Sequence, residues 1–112
     1  MCGILGLTRP SSKSSLKIDS TKLDIAMGLI RNRGPDFQDY LTVKNNALFG
    51  HTRLAIIDLS ANGNQPYQYE NLTLAFNGMI YNHNALRDEL CENGYKFISS
   101  SDTEVLIKSW HC

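Results

Sequence analysis

The chain contains no Cys-x-x-Cys pair, no His-Glu-x-x-His, no phosphate-cradling P-loop and no excess of either charge. Its three cysteines, Cys2, Cys91 and Cys112, are odd in number and irregularly spaced, which argues against a disulfide framework and for a reducing compartment. His51, His83 and His111 lack partners at metal-ligand spacing, so no metal site is expected. Gly3-Ile4-Leu5-Gly6 is not the dinucleotide-binding Gly-x-Gly-x-x-Gly, and nothing in the segment calls for a cofactor. Lys plus Arg equals Asp plus Glu at 11 each, leaving no electrostatic pull on nucleic acid or an anionic membrane. The apolar run after Met1 ends within a few residues and has no basic start, so it reads as neither secretory signal nor membrane span. A cytoplasmic protein is the expectation.

What is present is ordinary in bulk. At 112 residues, 42% hydrophobic and 20% charged, the chain reads as one globular domain over residues 1–112. Residues 2–8 predict a short buried strand, followed by a Ser/Lys-rich loop to about residue 18. Leu23, Ala26, Met27 and Ile30 recur at helical spacing, with Asp19 or Ser20 as cap. Arg33-Gly34-Pro35 should stop this helix, glycine allowing a left-handed cap. Strands follow at 39–44 and 47–58 across an Asn45-Asn46 turn, then a loop at 60–66 and a strand at 72–76. Asn84 is expected to cap a helix to Glu92 closed by Gly94, with a further strand at 95–98. Ser101-Asp102-Thr103-Glu104 has capping-box spacing and starts a last helix. That helix runs to Cys112 with no stop signal, so the chain reads as truncated at its C-terminal end.

The cysteine at position two stands out. If Met1 is removed, one residue carries both a thiol and a free α-amine that titrates at about 7.7–8.0, a nucleophile with its own base. Taken alone, a cysteine in an apolar run is more simply a small buried hydrophobe. Arg53 shares a strand face with Ala55 and Ile57; it is either half of an ion pair with Asp36 or Asp58, or a bidentate carboxylate clamp. Asn77-Gly78 is either a hairpin turn or, because 79–83 does not alternate like a return strand, a side-chain amide and backbone N–H converging as an oxyanion hole. Asp102 is either a favourable first-turn acid or a group for an ammonium. Together these make one device. An arginine and an aspartate suit a zwitterionic amino acid, and a nucleophile with oxyanion donors suits an amide. Glutamine or asparagine needs both.

The chain resembles a known family. Met1-Cys2-Gly3-Ile4-Leu5-Gly6, Arg33-Gly34-Pro35-Asp36, Gly50-His51-Thr52-Arg53-Leu54-Ala55-Ile56-Ile57-Asp58, Gly63-Asn64-Gln65-Pro66, Phe76-Asn77-Gly78-Met79-Ile80-Tyr81-Asn82 and Ser101-Asp102-Thr103-Glu104-Val105 occur in order. They resemble the N-terminal class II glutamine amidotransferase domain of glutamine-dependent asparagine synthetases. The resemblance implies an α+β fold, the αββα sandwich of N-terminal-nucleophile hydrolases, here incomplete. It implies Cys2 as nucleophile, Asn77 and Gly78 as oxyanion donors, Arg53 and Asp102 as clamps for L-glutamine, and backbone near Ile57 and Met79 lining the pocket. Ammonia would pass to a synthetase domain outside this segment, which uses ATP and magnesium to amidate aspartate. Three departures are visible: Asn32 where the family commonly has His, Met79 where an acid often follows Asn-Gly, and a length short of the whole domain. The rivals are another class II amidotransferase, serving sugar or cell-surface modification, and a non-catalytic glutamine-binding or interaction module that would keep Met1.

Overall fold

A computed structural model describes residues 1–9, 17–44 and 46–112. The elements are β1 (Gly3–Thr8), α1 (Ser20–Ile30), β2 (Phe37–Val43), β3 (Ala47–Arg53), β4 (Tyr67–Tyr69), β5 (Leu72–Leu74), α2 (His83–Glu92) and α3 (Asp102–His111), with 3-10 turns at Arg31–Arg33 and Ala61–Gly63. Helix and sheet are mixed, as an α+β chain requires. β3 is central, antiparallel to β1 from Gly3 opposite Thr52 and to β2 from Phe37 opposite Arg53. β4 and β5 form a separate antiparallel pair.

Period two divides β3 into two faces. Leu48 and Thr52 turn toward α1, where Leu23, Met27 and Leu48 form a core joined by Leu5, Ile18 and Ile30. His51 and Arg53 point the other way, toward the loops that follow β3 and β5. On the far side of those loops α3 packs against α2, β4 and β5. Asp19 caps α1 by accepting from Thr21 N–H at 2.9 Å, and Ser101 caps α3 by accepting from Thr103 N–H at 3.0 Å.

Several boundaries differ from the sequence reading for one shared reason: side chains intercept backbone donors before a ladder can. β3 ends at Arg53 rather than Asp58 because Leu54 N–H points to Cys2 Sγ and Ala55 N–H to Asp36 Oδ2. β5 stops at Leu74 because Phe76 N–H is taken by Gln65 Oε1. Residues 95–98 form no strand, since Ile98 and Ser99 N–H both donate to the Glu104 carboxylate. That diversion also undoes the capping box, in which Glu104 would have reached back to Ser101. β1 is an edge strand and largely exposed rather than buried, with Ile4 at 44%. α2 starts two residues earlier than expected, with Asn82 rather than Asn84 at its cap and Asn84 already inside the helix. Gly94 closes it at φ +89°, the left-handed turn that suits glycine. Gly34, by contrast, has φ −152° and is no left-handed cap. A Cβ there would overlap the Thr52 carbonyl, so glycine lets the chain cross β3 closely. Most of the expected Ser/Lys-rich loop, and Asn45 of the Asn45-Asn46 turn, lie outside the described residues.

Candidate functional site

The N-terminus is tied down at the Cys2–Gly3 peptide, by both of its polar atoms. Gly3 N–H donates to Thr52 Oγ1 at 3.1 Å, and that hydroxyl donates onward to Ile30 O at 3.0 Å. Arg33 Nε–H donates to Cys2 O at 3.1 Å. The Arg33-Gly34-Pro35-Asp36 block therefore does more than stop α1. It latches the Cys2 carbonyl at one end and, through Asp36, the Arg53 carbonyl and Ala55 N–H at the other. With the Cys2–Gly3 peptide held by both its polar atoms, the Cys2 sulfur lies 3.3 Å from Leu54 N.

Arg53, at the open end of β3, is 7% exposed, and burial of an unpaired guanidinium would be costly. Neither expected ion pair forms. Nη1 donates to Ser60 O and Asn64 Oδ1, both at 2.7 Å, and Nη2 donates to Asp58 O. The neutral acceptors fix the fork without cancelling its charge. One Nη2–H and Nε–H have no partner among the described residues, leaving donors for an anion. Gly63 is what lets the fork lie where it does, since a Cβ there would overlap Nη2.

Asp102 opens α3 and is 6% exposed. Its Oδ2 accepts from Ile80 N–H at 3.0 Å, while Oδ1 has no partner among the described residues. The side-chain amide of Asn77 and the N–H of Gly78 are likewise unspent there. No return strand follows Asn77-Gly78, so the pair is not a hairpin turn. One cavity of about 350 Å³ is lined by Cys2, Arg53, Ile57, Asn77, Gly78, Met79 and Asp102, all seven residues singled out in the sequence. Met1 also lines it. Among the described residues, no cluster of His, Cys, Asp and Glu has metal-ligating geometry, and no helix is long and apolar enough to cross a membrane.

Three residues to which the sequence reading gave no such bracing role hold this cavity together. Asp58 touches both ends. Its carbonyl receives Arg53, and its carboxylate accepts from Ser60 N–H and Ser100 N–H, each at 2.8 Å. Hydrogen bonds from Ser60, then Ser100, outweigh burial and pull its pKa from 3.8 to about 2. A carboxyl depressed in the fold stabilises it above the unfolded pKa and loses that effect as pH falls through the folded value. Wild type is therefore expected to exceed Asp58→Asn in stability at neutral pH, the gap closing between about pH 4 and pH 2. Urea unfolding across that range checks it, and a pH-independent gap would mean the charge is not responsible. Gln65 bridges Phe76 N–H at 2.6 Å to Thr103 Oγ1 at 3.1 Å. His51, fully buried, meets Phe76 O through Nε2 at 3.1 Å. Desolvation, aided by the nearby Arg53 charge, lowers its pKa despite the Phe76 bond, so the imidazole is neutral. Period two places His51 on Arg53's face, a signal available in the sequence.

A glutamine amidotransferase domain model matches residues 1–112. The chain is 37% identical to Bacillus subtilis glutamine-hydrolyzing asparagine synthetase 3, over 98% of this chain and 18% of that protein. It is 38% identical to Escherichia coli glutamine-hydrolyzing asparagine synthetase B, over 96% of this chain and 19% of that protein. Similarity extends to the amidase chyE of Penicillium rubens, at 35% over 96% of this chain and 17% of that protein. The chain thus spans less than a fifth of the length of these relatives. The match covers every element that lines the cavity, and the chain belongs to the glutamine amidotransferase domain family.

Proposed function

We propose that the cavity binds L-glutamine and hydrolyses its side-chain amide. The unspent donors of Arg53 take the α-carboxylate, and Asp102 Oδ1 takes the α-ammonium. Cys2 sulfur attacks the amide carbon, passing its proton to its own α-amine once Met1 is gone. Asn77 Nδ2–H and Gly78 N–H receive the charge that develops on oxygen, where preorganised donors act most strongly. The amine then protonates the leaving nitrogen, ammonia departs, and water hydrolyses the thioester to glutamate and free thiol. Ile57 and Met79 line the walls.

The observation that carries this reading is the convergence of a thiol, unspent donors and an unspent carboxylate oxygen on a single cavity. The finer fold it brings is the αββα sandwich of N-terminal-nucleophile hydrolases. In the full-length protein we assign the ammonia to ATP-dependent conversion of aspartate to asparagine, in the cytoplasm, on a synthetase domain that holds ATP and magnesium. The glutaminase segment itself needs no cofactor in this scheme. The amidase relative keeps a different ammonia acceptor as the second reading.

The test is to supply glutamine to the purified full-length protein and measure glutamate and ammonia, with intact mass taken on the same sample. Equal amounts of both products from protein lacking one methionine are expected. Turnover by protein retaining Met1 would remove the self-activating nucleophile, because an acylated Cys2 nitrogen is no base.

A further inference from the structure

The fully buried His51 has no part in the chemistry just described, yet its ring bonds the residue immediately before Asn77. Its Nδ1 is buried without a partner, the one such side-chain atom among the described residues. An N–H at that position would be a stranded donor, so the proton belongs on Nε2, which donates to Phe76 O. The same peptide residue is gripped at its other polar atom, since Phe76 N–H donates to Gln65 Oε1. Gln65 is 6% exposed and anchored in turn on Thr103, one residue past Asp102.

Phe76 O lies in the same rigid plane as the Asn77 N and Cα. Holding that carbonyl fixes the plane from which the Asn77 Cα, and with it the side-chain amide, departs. The Phe76 ring adds a third restraint. It lies over Gly78 so closely that a Cβ there would come within 2.7 Å of Cζ. Neither Asn77 nor Gly78 has an internal hydrogen bond of its own among the described residues to hold it in place.

We infer that His51 is a positioning residue for the oxyanion hole, acting through Phe76 in concert with Gln65. The inference rests on the glutaminase reading of the cavity. Oxyanion donors are spent in the transition state rather than on bound substrate, so their misplacement lowers kcat and leaves KM nearly unchanged. A role in general packing would instead lower stability without that split.

The test uses the full-length protein, with wild-type glutamine hydrolysis measured first. If wild type releases no glutamate from glutamine, the parent reading fails. Given activity, His51→Ala is expected to lower kcat about 10- to 100-fold with KM within about twofold of wild type, short of the loss from deleting a donor outright. His51→Gln carries an amide nitrogen at the reach of Nε2 and should restore kcat to within about threefold, whereas His51→Asn, whose amide falls short, should not. If His51→Ala does not fold, the Gln and Asn variants decide alone. Equal kcat in Gln and Asn variants of equal thermal stability, or a loss carried by KM, would overturn the inference.

Discussion

Cys2→Ala in the full-length protein is expected to cut glutamine hydrolysis by roughly 10⁴-fold or more, because Cys2 carries the one thiol among the residues that line the cavity. Synthesis supplied with ammonium salt should continue at the wild-type rate under the same conditions. The fold should tolerate the change. The anchors at this end are main-chain ones, Arg33 to Cys2 O and Gly3 N–H to Thr52, and alanine keeps both. Only the sulfur's two contacts with the Leu54 main chain are lost. Measuring glutamate release and ammonia-driven product on one preparation separates chemistry from folding. Hydrolysis that survives at the wild-type rate would sink the assignment of Cys2.

Lys108→Met should be the most damaging of the substitutions away from the cavity, at about 3–5 kcal/mol. Lys108 Nζ lies 2.6 Å from Glu104 Oε1, both side chains are within 5% of full burial, and Nζ also donates to Lys96 O. Burial pushes the Glu104 carboxyl up, but bonds from Lys108, Ser99 and Ile98 more than reverse this and hold it low. Methionine keeps the stem and removes the largest of the contributions that lower the carboxyl against burial. In wild type the depressed carboxyl favours the fold above its unfolded pKa. In the variant the carboxyl is less depressed, so the fold gains less from it as pH climbs through the carboxylate range. The stability gap should therefore widen from acid toward neutral pH in urea unfolding followed by circular dichroism. Adding Glu104→Gln should recover a large part of the loss, because it removes the stranded charge. Parallel losses at acid and neutral pH would mean packing, not charge, is at stake.

The residues that line the cavity were easier to find in the sequence than the scaffold. Cys2, Arg53, Asn77, Gly78 and Asp102 are legible because each carries a group whose burial or spacing needs explaining, and each lines the cavity. Periodicity likewise found α1 and the central strand pairing, where main-chain donors go to main chain. It failed where donors go elsewhere. Nothing local in Ala55, Phe76 or Ile98 reveals that Asp36, Gln65 or Glu104 takes its N–H, because those partners lie 19, 11 and 6 positions away. The roles of Asp58, Gln65 and His51 were hidden for the same reason. Each works through a backbone atom of another residue, and a backbone atom carries no signature in the sequence.

Asp58 ties the Arg53 fork, through its carbonyl, to the segment leading into Asp102, through Ser100. In the proposed binding mode both grips on the amino-acid head are braced through this one residue, which opposes sliding of the head group toward the sulfur. The distance still to be bridged then belongs entirely to the ligand's side chain. A carboxamide one methylene shorter than glutamine's would be seated correctly and stop short of Cys2. The cavity would measure length as a caliper does, by the gap between a fixed jaw and the thiol, and asparagine would occupy it as an inhibitor rather than a substrate.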